Sequence, residues 1–354
     1  MTFDLYMGSG VALGGLFCLA LVPVLARFAG SVGLLDKPTE RKQHVGNVPV
    51  VGGIAIYLSV LVASLALGIE WRVMAPIVFG TGLVLMGVLD DIYIMSARQR
   101  LPLQIATALA MVFLGGQSIE SVGDLYGSGP VLMTGVVSVI FTIMCVVGVI
   151  NSINMLDGVD GLSGTIITIT VCPLAYYCYK AGDLASFQLM MTMVGALFAF
   201  LFYNSRLFRK SAKVFMGDSG SMLFGFFLVW YFIVLTQGPD AVLSPVSAGW
   251  IFGLPLADTV SVMMRRLSQK RSPFDADREH LHHRLLEANF SVNGMVLVMA
   301  LIQVGFILVG ILVNEYRVLI PFSFWLFVVL VLAHHFLTPR LLHKRVEAGL
   351  VDQG

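Results

Sequence analysis

Three features of the sequence predict an all-α, polytopic membrane protein. Hydrophobic residues make up 57% of the 354-residue chain and charged residues only 12%, well outside the composition of soluble domains. The apolar residues gather in runs of about 20, the length a helix needs to cross a hydrocarbon core about 30 Å thick. The alternating pattern of a membrane β-barrel is absent. One integral membrane domain over residues 1–354, with about eleven transmembrane helices, is the expected organisation.

In order, the predicted spans are 5–26, 49–69, 72–89, 102–117, 130–150, 160–179, 185–203, 216–236, 242–263, 294–313 and 318–337. The first lacks a basic leader and a small-residue cleavage site, so it reads as a retained helix. The second follows the basic stretch "LLDKPTERKQHVGNVPVVGG". The third ends in "GVLDDIY" and the fifth in "INSINMLDGVDGL"; the eighth opens on "VFMGDSGS" and the ninth carries "GLPLADTV". A second basic stretch, "MMRRLSQKRSPFDADREHLHHRLL", separates the ninth span from the tenth. Cys18, Cys145, Cys172 and Cys178 fall in or beside apolar spans without metal-type spacing, so no disulfide framework is implied.

The net charge of +1 hides an asymmetry. Alternate loops hold 19 of the 22 Lys and Arg residues, and the other side keeps only Arg72, Lys180 and Arg317. The positive-inside rule then puts the N-terminus outside and the C-terminus in the cytoplasm. Such charge faces anionic headgroups or anionic substrates and does not suggest a nucleic-acid partner.

The carboxylates sort by side in the same way. Those on the outer side are scattered singly. Those on the cytoplasmic side sit at or in helix ends: Asp90 and Asp91, Asp157 and Asp160, Asp218, and Asp258. Ionisable groups at that depth are costly unless paired, wetted or functional. Each also has a structural reading: Asp90 and Asp91 as helix stops, Asp157 and Asp160 as turn caps before glycine, Asp218 as an N-terminal first-turn acid. The functional reading of Gly217-Asp218-Ser219-Gly220-Ser221 is that glycines admit a diphosphate while the carboxylate holds a hard cation. Magnesium suits few carboxylates plus phosphate oxygens. Zinc would have to come from His280, His282 and His283 without cysteines nearby, and is the weaker choice.

An enzyme and a secondary transporter both place ionisable groups in a helix bundle. Transporter sites lie near the midplane on interrupted helices of inverted repeats, whereas the acids here cluster at one edge and no repeat is evident. The residues favour phosphoryl transfer on a nucleotide-linked substrate, with a lipid phosphate as second substrate.

The stretches "DKPTERKQHVGNVPVVGG", "LDD", "NSINMLDGVDGL", "VFMGDSGS" and "SPFDADREHLHH" resemble, in order, the motifs of the polyprenyl-phosphate N-acetylhexosamine-1-phosphate transferase family. The likeness is greatest to the bacterial members that transfer GlcNAc-1-phosphate and weaker to those that build peptidoglycan precursors. The resemblance implies transfer of GlcNAc-1-phosphate from UDP-GlcNAc, or another UDP-N-acetylhexosamine, to undecaprenyl phosphate with release of UMP. That reaction initiates a lipid-linked surface glycan such as O-antigen, at the cytoplasmic face of a bacterial inner membrane; a homodimer is compatible with it.

The resemblance also implies roles. Asp218 and Asn154 hold magnesium, with manganese as a substitute ion. Asp90 accepts a proton from, or positions, the lipid phosphate; Asp91 supports the metal or a basic neighbour; Asp157 and Asp160 line the nucleotide site. Arg98, with Arg100 as second candidate, meets the lipid phosphate, and Lys37, Arg41, Lys42 and His44 face phosphate. Arg266, His280, His282 and His283 contact the diphosphate and sugar. The order His280-Leu281-His282-His283, in place of a triple histidine, argues against a peptide-bearing sugar nucleotide.

Overall fold

The computed structural model describes residues 2–36, 46–207, 209–272 and 279–347, with side chains described between 5 and 338. Lys37, Arg41, Lys42 and His44 lie outside the described residues. Those described form α1 (Thr2–Phe28), a two-residue antiparallel ribbon of β1 (Leu35–Asp36) and β2 (Val48–Pro49), α2 (Gly52–Ala66), α3 (Ala75–Tyr93), α4 (Ala97–Phe113), α5 (Gly135–Leu156), α6 (Leu162–Lys180), α7 (Leu184–Asn204), α8 (Gly217–Thr236), α9 (Pro245–Ile251), α10 (Gly253–Ser268), α11 (Leu281–Glu287), α12 (Val292–Glu315) and α13 (Ile320–Glu347). Among them eight helices are long and apolar enough to cross a membrane, which makes the chain an all-α, multi-pass membrane protein. Its four cysteines are free.

The predicted spans all fall on helices, but several differ in extent. The third and fifth run on past their polar residues, to Tyr93 and Leu156. Asn151 and Asn154 do not end α5 because neighbouring helices satisfy their side chains. The fourth helix starts at Ala97 instead of 102, because Ser96 and Gln99 form a capping box in which the Ser96 amide donates to Gln99 Oε1 at 2.8 Å. That start brings Arg98 and Arg100 into its first turn. The second and fourth expected spans are helices of 15 and 17 residues, shorter than the roughly 20 of an untilted crossing.

The ninth expected span, 242–263, is broken into α9 and α10, which meet at 84°. Pro255 in the first turn of α10 needs no intrahelical amide bond there. Gln303, buried on α12, serves both sides of the break: its Nε2 donates to the Ile251 carbonyl at 2.8 Å and its Oε1 accepts from the Leu254 amide at 3.1 Å. Backbone groups freed by a break in apolar surroundings need such partners.

The helices form two compact units. One comprises Met1–Glu120 with Met133–Leu243, and the other Ser121–Leu132 with Ser244–Gly354. In the first, α8 is enclosed: every residue from Ser219 to Ile233 is buried, as befits a helix apolar all round. Its N-terminal turn sits against α2 and α3 at glycines. A Cβ on Gly53 would overlap the backbone of Gly220, and one on Gly87 the backbone of Ser219. In the second unit, Val246, Trp250, Val313 and Ile320 form a core, with Phe306 and Phe327 packed against the Trp250 ring.

Candidate active site

The close seating of α8 decides where the acids meet. Asp90 and Asp91 occupy the last turn of α3, and Asp218 the first turn of α8. Asp91 Oδ1 accepts from the Asp218 backbone amide at 3.0 Å, so a neighbouring helix supplies the cap that Met216, at the N-cap position, does not. Gly217 joins them with φ of +75°, and a Cβ there would run into Val50 and the Asp91 carboxylate. The remaining Asp91 oxygen is buried without a hydrogen-bond partner.

Asp90 has two tasks. Its Oδ1 accepts from the Met95 amide at 2.6 Å, holding the turn in which Ile94 adopts φ of +54°, an unusual conformation for a β-branched residue. Its Oδ2 lies 3.0 Å from Arg100 Nη1. The same nitrogen is 3.5 Å from Asp218 Oδ1 and 3.4 Å from Asn154 Oδ1. Asn154 completes the circuit by donating from Nδ2 to Asp218 Oδ1 and to Ser221 Oγ. Asp218 is the open member: its side chain is 28% exposed, against 4% for Asp90. Asp157 lies within electrostatic reach of Asp91 and accepts from Ser163 Oγ.

Two carboxylates, Asp90 and Asp218, and the Asn154 amide oxygen therefore surround one guanidinium. The donor set fits a hard divalent cation: carboxylate oxygens, an amide oxygen, and one buried carboxylate oxygen with no hydrogen-bond partner. Among the described residues no three His, Cys, Asp or Glu side chains form a ready-made metal cage. Magnesium needs none, since waters and phosphate oxygens fill much of its shell.

The second unit holds a cluster of the opposite kind. Asp258 on α10 is buried; its Oδ2 is 2.8 Å from His280 Nδ1, and its Oδ1 accepts from the Leu281 amide at 2.9 Å and lies 3.4 Å from His334 Nε2. His280 and His282 are stacked, and the His283 ring is 4.1 Å from that of His282. His280 Nε2 and both ring nitrogens of His282 are buried without hydrogen-bond partners. Burial, then the neighbouring His283, lower the His282 pKa from its usual 6.5 to about 3. Beside them Glu279 gathers three arginines: Arg265 at 2.9 Å, Arg271 at 3.4 Å and Arg284 at 3.8 Å. Burial and the Arg265 charge both lower the Arg284 pKa.

Of the residues singled out in the sequence, Asp90, Asp91, Arg100, Asn154 and Asp218 come together, with Asp157 adjoining. Asp160 turns to Arg206, whose Nε is 2.7 Å from it, and secures a loop. Arg98 is exposed, and no carboxylate among the described residues pairs with it. Arg266 is buried in α10, and the three histidines belong to the second unit. Sequence reasoning noticed Asp258 without assigning it a role, and passed over Glu279, Arg265 and His334. The adjacent pair His334 and His335 in an otherwise apolar last span was the available signal for His334.

A family model described as glycosyl transferase family 4 matches residues 73–236, the segment that contains every member of the acid cluster. Relatives match over most of the chain. An undecaprenyl-phosphate alpha-N-acetylglucosaminyl 1-phosphate transferase of Yersinia pestis is 32% identical over 307 residues, covering 86% of this chain and 84% of its own. Proteins of the same description from Escherichia coli strain K12 and Haemophilus influenzae are each 32% identical, covering 88% of this chain and 84% and 88% of their own. The chain belongs to glycosyl transferase family 4. As a member of that family it is a membrane transferase, and the α3, α5 and α8 ends that carry its acids lie in the family's defining segment.

Proposed function

We propose that this protein transfers GlcNAc-1-phosphate from UDP-GlcNAc to undecaprenyl phosphate, giving undecaprenyl-diphospho-GlcNAc and UMP. The reading rests on one observation above all: Asp90, Asn154 and Asp218 converge on Arg100 at the mouth of α8, which Asp91 caps and where glycines bring backbone amides close. A phosphate oxygen of the lipid attacks the sugar-bearing phosphorus of the donor, and the bond to the uridylate oxygen breaks. The anomeric bond of the sugar is untouched.

Two anionic substrates must meet, so the protein's task is to position them and offset their repulsion. Magnesium, when bound, neutralises charge on the diphosphate; Asp218 and Asp91, with Asn154, are the residues that would hold it. Arg100 neutralises Asp90 and offers a guanidinium to the incoming lipid phosphate. Asp90 orients that phosphate, which is already largely anionic near neutral pH and needs no strong base. The arginine and histidine cluster of α10 and α11 suits the nucleotide diphosphate and sugar. The loop charges orient this chemistry towards the cytoplasm of a bacterial inner membrane, where it would begin a surface glycan such as O-antigen.

The test is to incubate purified protein, magnesium and undecaprenyl phosphate with a panel of UDP-N-acetylhexosamines and measure UMP. Release with UDP-GlcNAc, abolished by chelation, is expected. No release with any donor would return the transporter reading to consideration, and uptake into sealed vesicles would then test it.

A further inference from the structure

Beneath the side chains of Arg100, Asn154 and Asp218 lies a second set of three, one turn further into the same helices. Gln104 follows Arg100 by four residues on α4, Asn151 precedes Asn154 by three on α5, and Met222 follows Asp218 by four on α8. Those spacings put each pair on one helix face. Gln104 joins the set: its Oε1 accepts from Asn151 Nδ2 at 2.8 Å, and its Nε2 lies 3.7 Å from Met222 Sδ. The charged triangle is thus repeated by an uncharged one, in which Gln104 takes the place that Arg100 has above it.

The glutamine is only 2% exposed, and stability alone does not account for it. An amide among apolar helices loses its water and needs full replacement, yet Nε2 receives a thioether, a weak acceptor. Asn151 does not depend on Gln104 either, since the same Nδ2 donates to the Val147 carbonyl at 2.8 Å.

What the amide supplies is register. Helices α5 and α8 are already seated on one another: Asn154 donates to Asp218 and Ser221, and a Cβ on Gly225 would overlap the Ile150 backbone. Helix α4 contains no glycine at which a backbone could approach so closely, and Pro102 interrupts its amide ladder. Arg100 holds the helix poorly by itself, because its Nη1 reaches three oxygens while its Nε is buried without a hydrogen-bond partner. Gln104 therefore fixes how α4 slides and turns against α5 and α8.

We propose that Gln104 is a positioning residue, whose contacts with α5 and α8 keep the Arg100 guanidinium between Asp90 and Asp218 and in reach of the lipid phosphate. This rests on the reading of the chain as a sugar-phosphate transferase in which Arg100 meets the acceptor. Gln104 itself, a turn deeper, does not touch substrate. Its effect passes through Arg100, which separates it from a residue that merely holds the fold.

The experiment is a double-mutant cycle on the full chain in detergent: wild type, Gln104→Leu, Arg100→Ala, and both together. UMP release at varied undecaprenyl phosphate and varied UDP-GlcNAc reads kcat and the KM for each substrate. Gln104→Leu is expected to lower kcat/KM for undecaprenyl phosphate about tenfold, to leave the KM for UDP-GlcNAc unchanged, and to add nothing once Arg100 is alanine. An unchanged kcat/KM, an equal loss in both backgrounds, a parallel rise in both KM values, or an Arg100→Ala variant as active as wild type would overturn the proposal. Should Gln104→Leu fail to elute as a monodisperse species, Gln104→Met, unbranched and also without an amide, carries the test with the same expected losses. Wild type that releases no UMP overturns the transferase reading, and the proposal with it; active wild type with additive losses overturns only the role of Gln104.

Discussion

The two units each bury a carboxylate, Asp90 in the first and Asp258 in the second, yet their charge balance is opposite. Around Arg100 the first unit sets Asp90 and Asp218, with Asp91 and Asp157 adjoining, and leaves an Asp91 oxygen without a hydrogen bond. Around Glu279 the second sets three arginines, and around Asp258 two histidines. Excess negative charge suits a cation, and excess positive charge suits an anion.

The harshest way to break that contrast is to remove charge from the acidic side. Asp218→Asn keeps the shape and the capping turn of α8 but leaves an amide where a carboxylate would hold a cation. Turnover should drop by about a hundredfold or more with elution profile and melting temperature unchanged. Wild-type turnover at saturating magnesium would remove Asp218 from the site.

Next in size is Arg100→Ala, which leaves Asp90 and Asp218 without their shared cation. A loss of about tenfold to a hundredfold in kcat/KM for lipid phosphate is expected. Arg98→Ala, on the exposed side of the same turn, should raise the KM for lipid phosphate by only a few-fold. The reverse order would mean that the lipid phosphate approaches from the exposed face and that Arg100 serves the fold.

On the basic side, Arg265→Ala should raise the KM for UDP-GlcNAc about tenfold and leave that for undecaprenyl phosphate alone. An equal rise in both would erase the distinction between the two clusters.

The smallest effect expected is on stability. The His282 ring, with its pKa near 3, is neutral when folded, whereas in the unfolded chain it takes up a proton below about 6.5. Its contribution is therefore present above that pH and is lost as the pH falls towards 3. His282→Leu should make the fall in melting temperature between pH 7 and 5 shallower. A steeper fall would show that the ring is charged in the folded protein and adds to the positive side.

Much of this was legible in the sequence because it depends on composition and local spacing. Apolar runs of membrane length fall on helices, and "GDSGS" marks a helix start because glycine and a first-turn acid are local signals. The extents of α3 and α5 were misjudged for a tertiary reason: Asp90, Asp91 and Asn154 look like helix breakers until partners on other helices satisfy them. The break in the ninth span was hidden in the same way, since Gln303 lies 49 residues from Leu254.

By itself, then, the sequence determined that the chain is helical, that it lives in a membrane, and which polar stretches interrupt its apolar runs, because burial of apolar length and turn chemistry act over neighbouring residues. Tertiary structure alone decided that Arg100 rather than Arg98 stands among the acids, that Asp91 caps α8, that Asp160 belongs to Arg206, and that Asp258 joins His280 to His334. Each of these is a pairing of charge or hydrogen bond between distant segments. Such pairings depend on how closely helices approach and at what angle they meet, and at the acid site that approach is set by Gly53 and Gly87 against the first turn of α8.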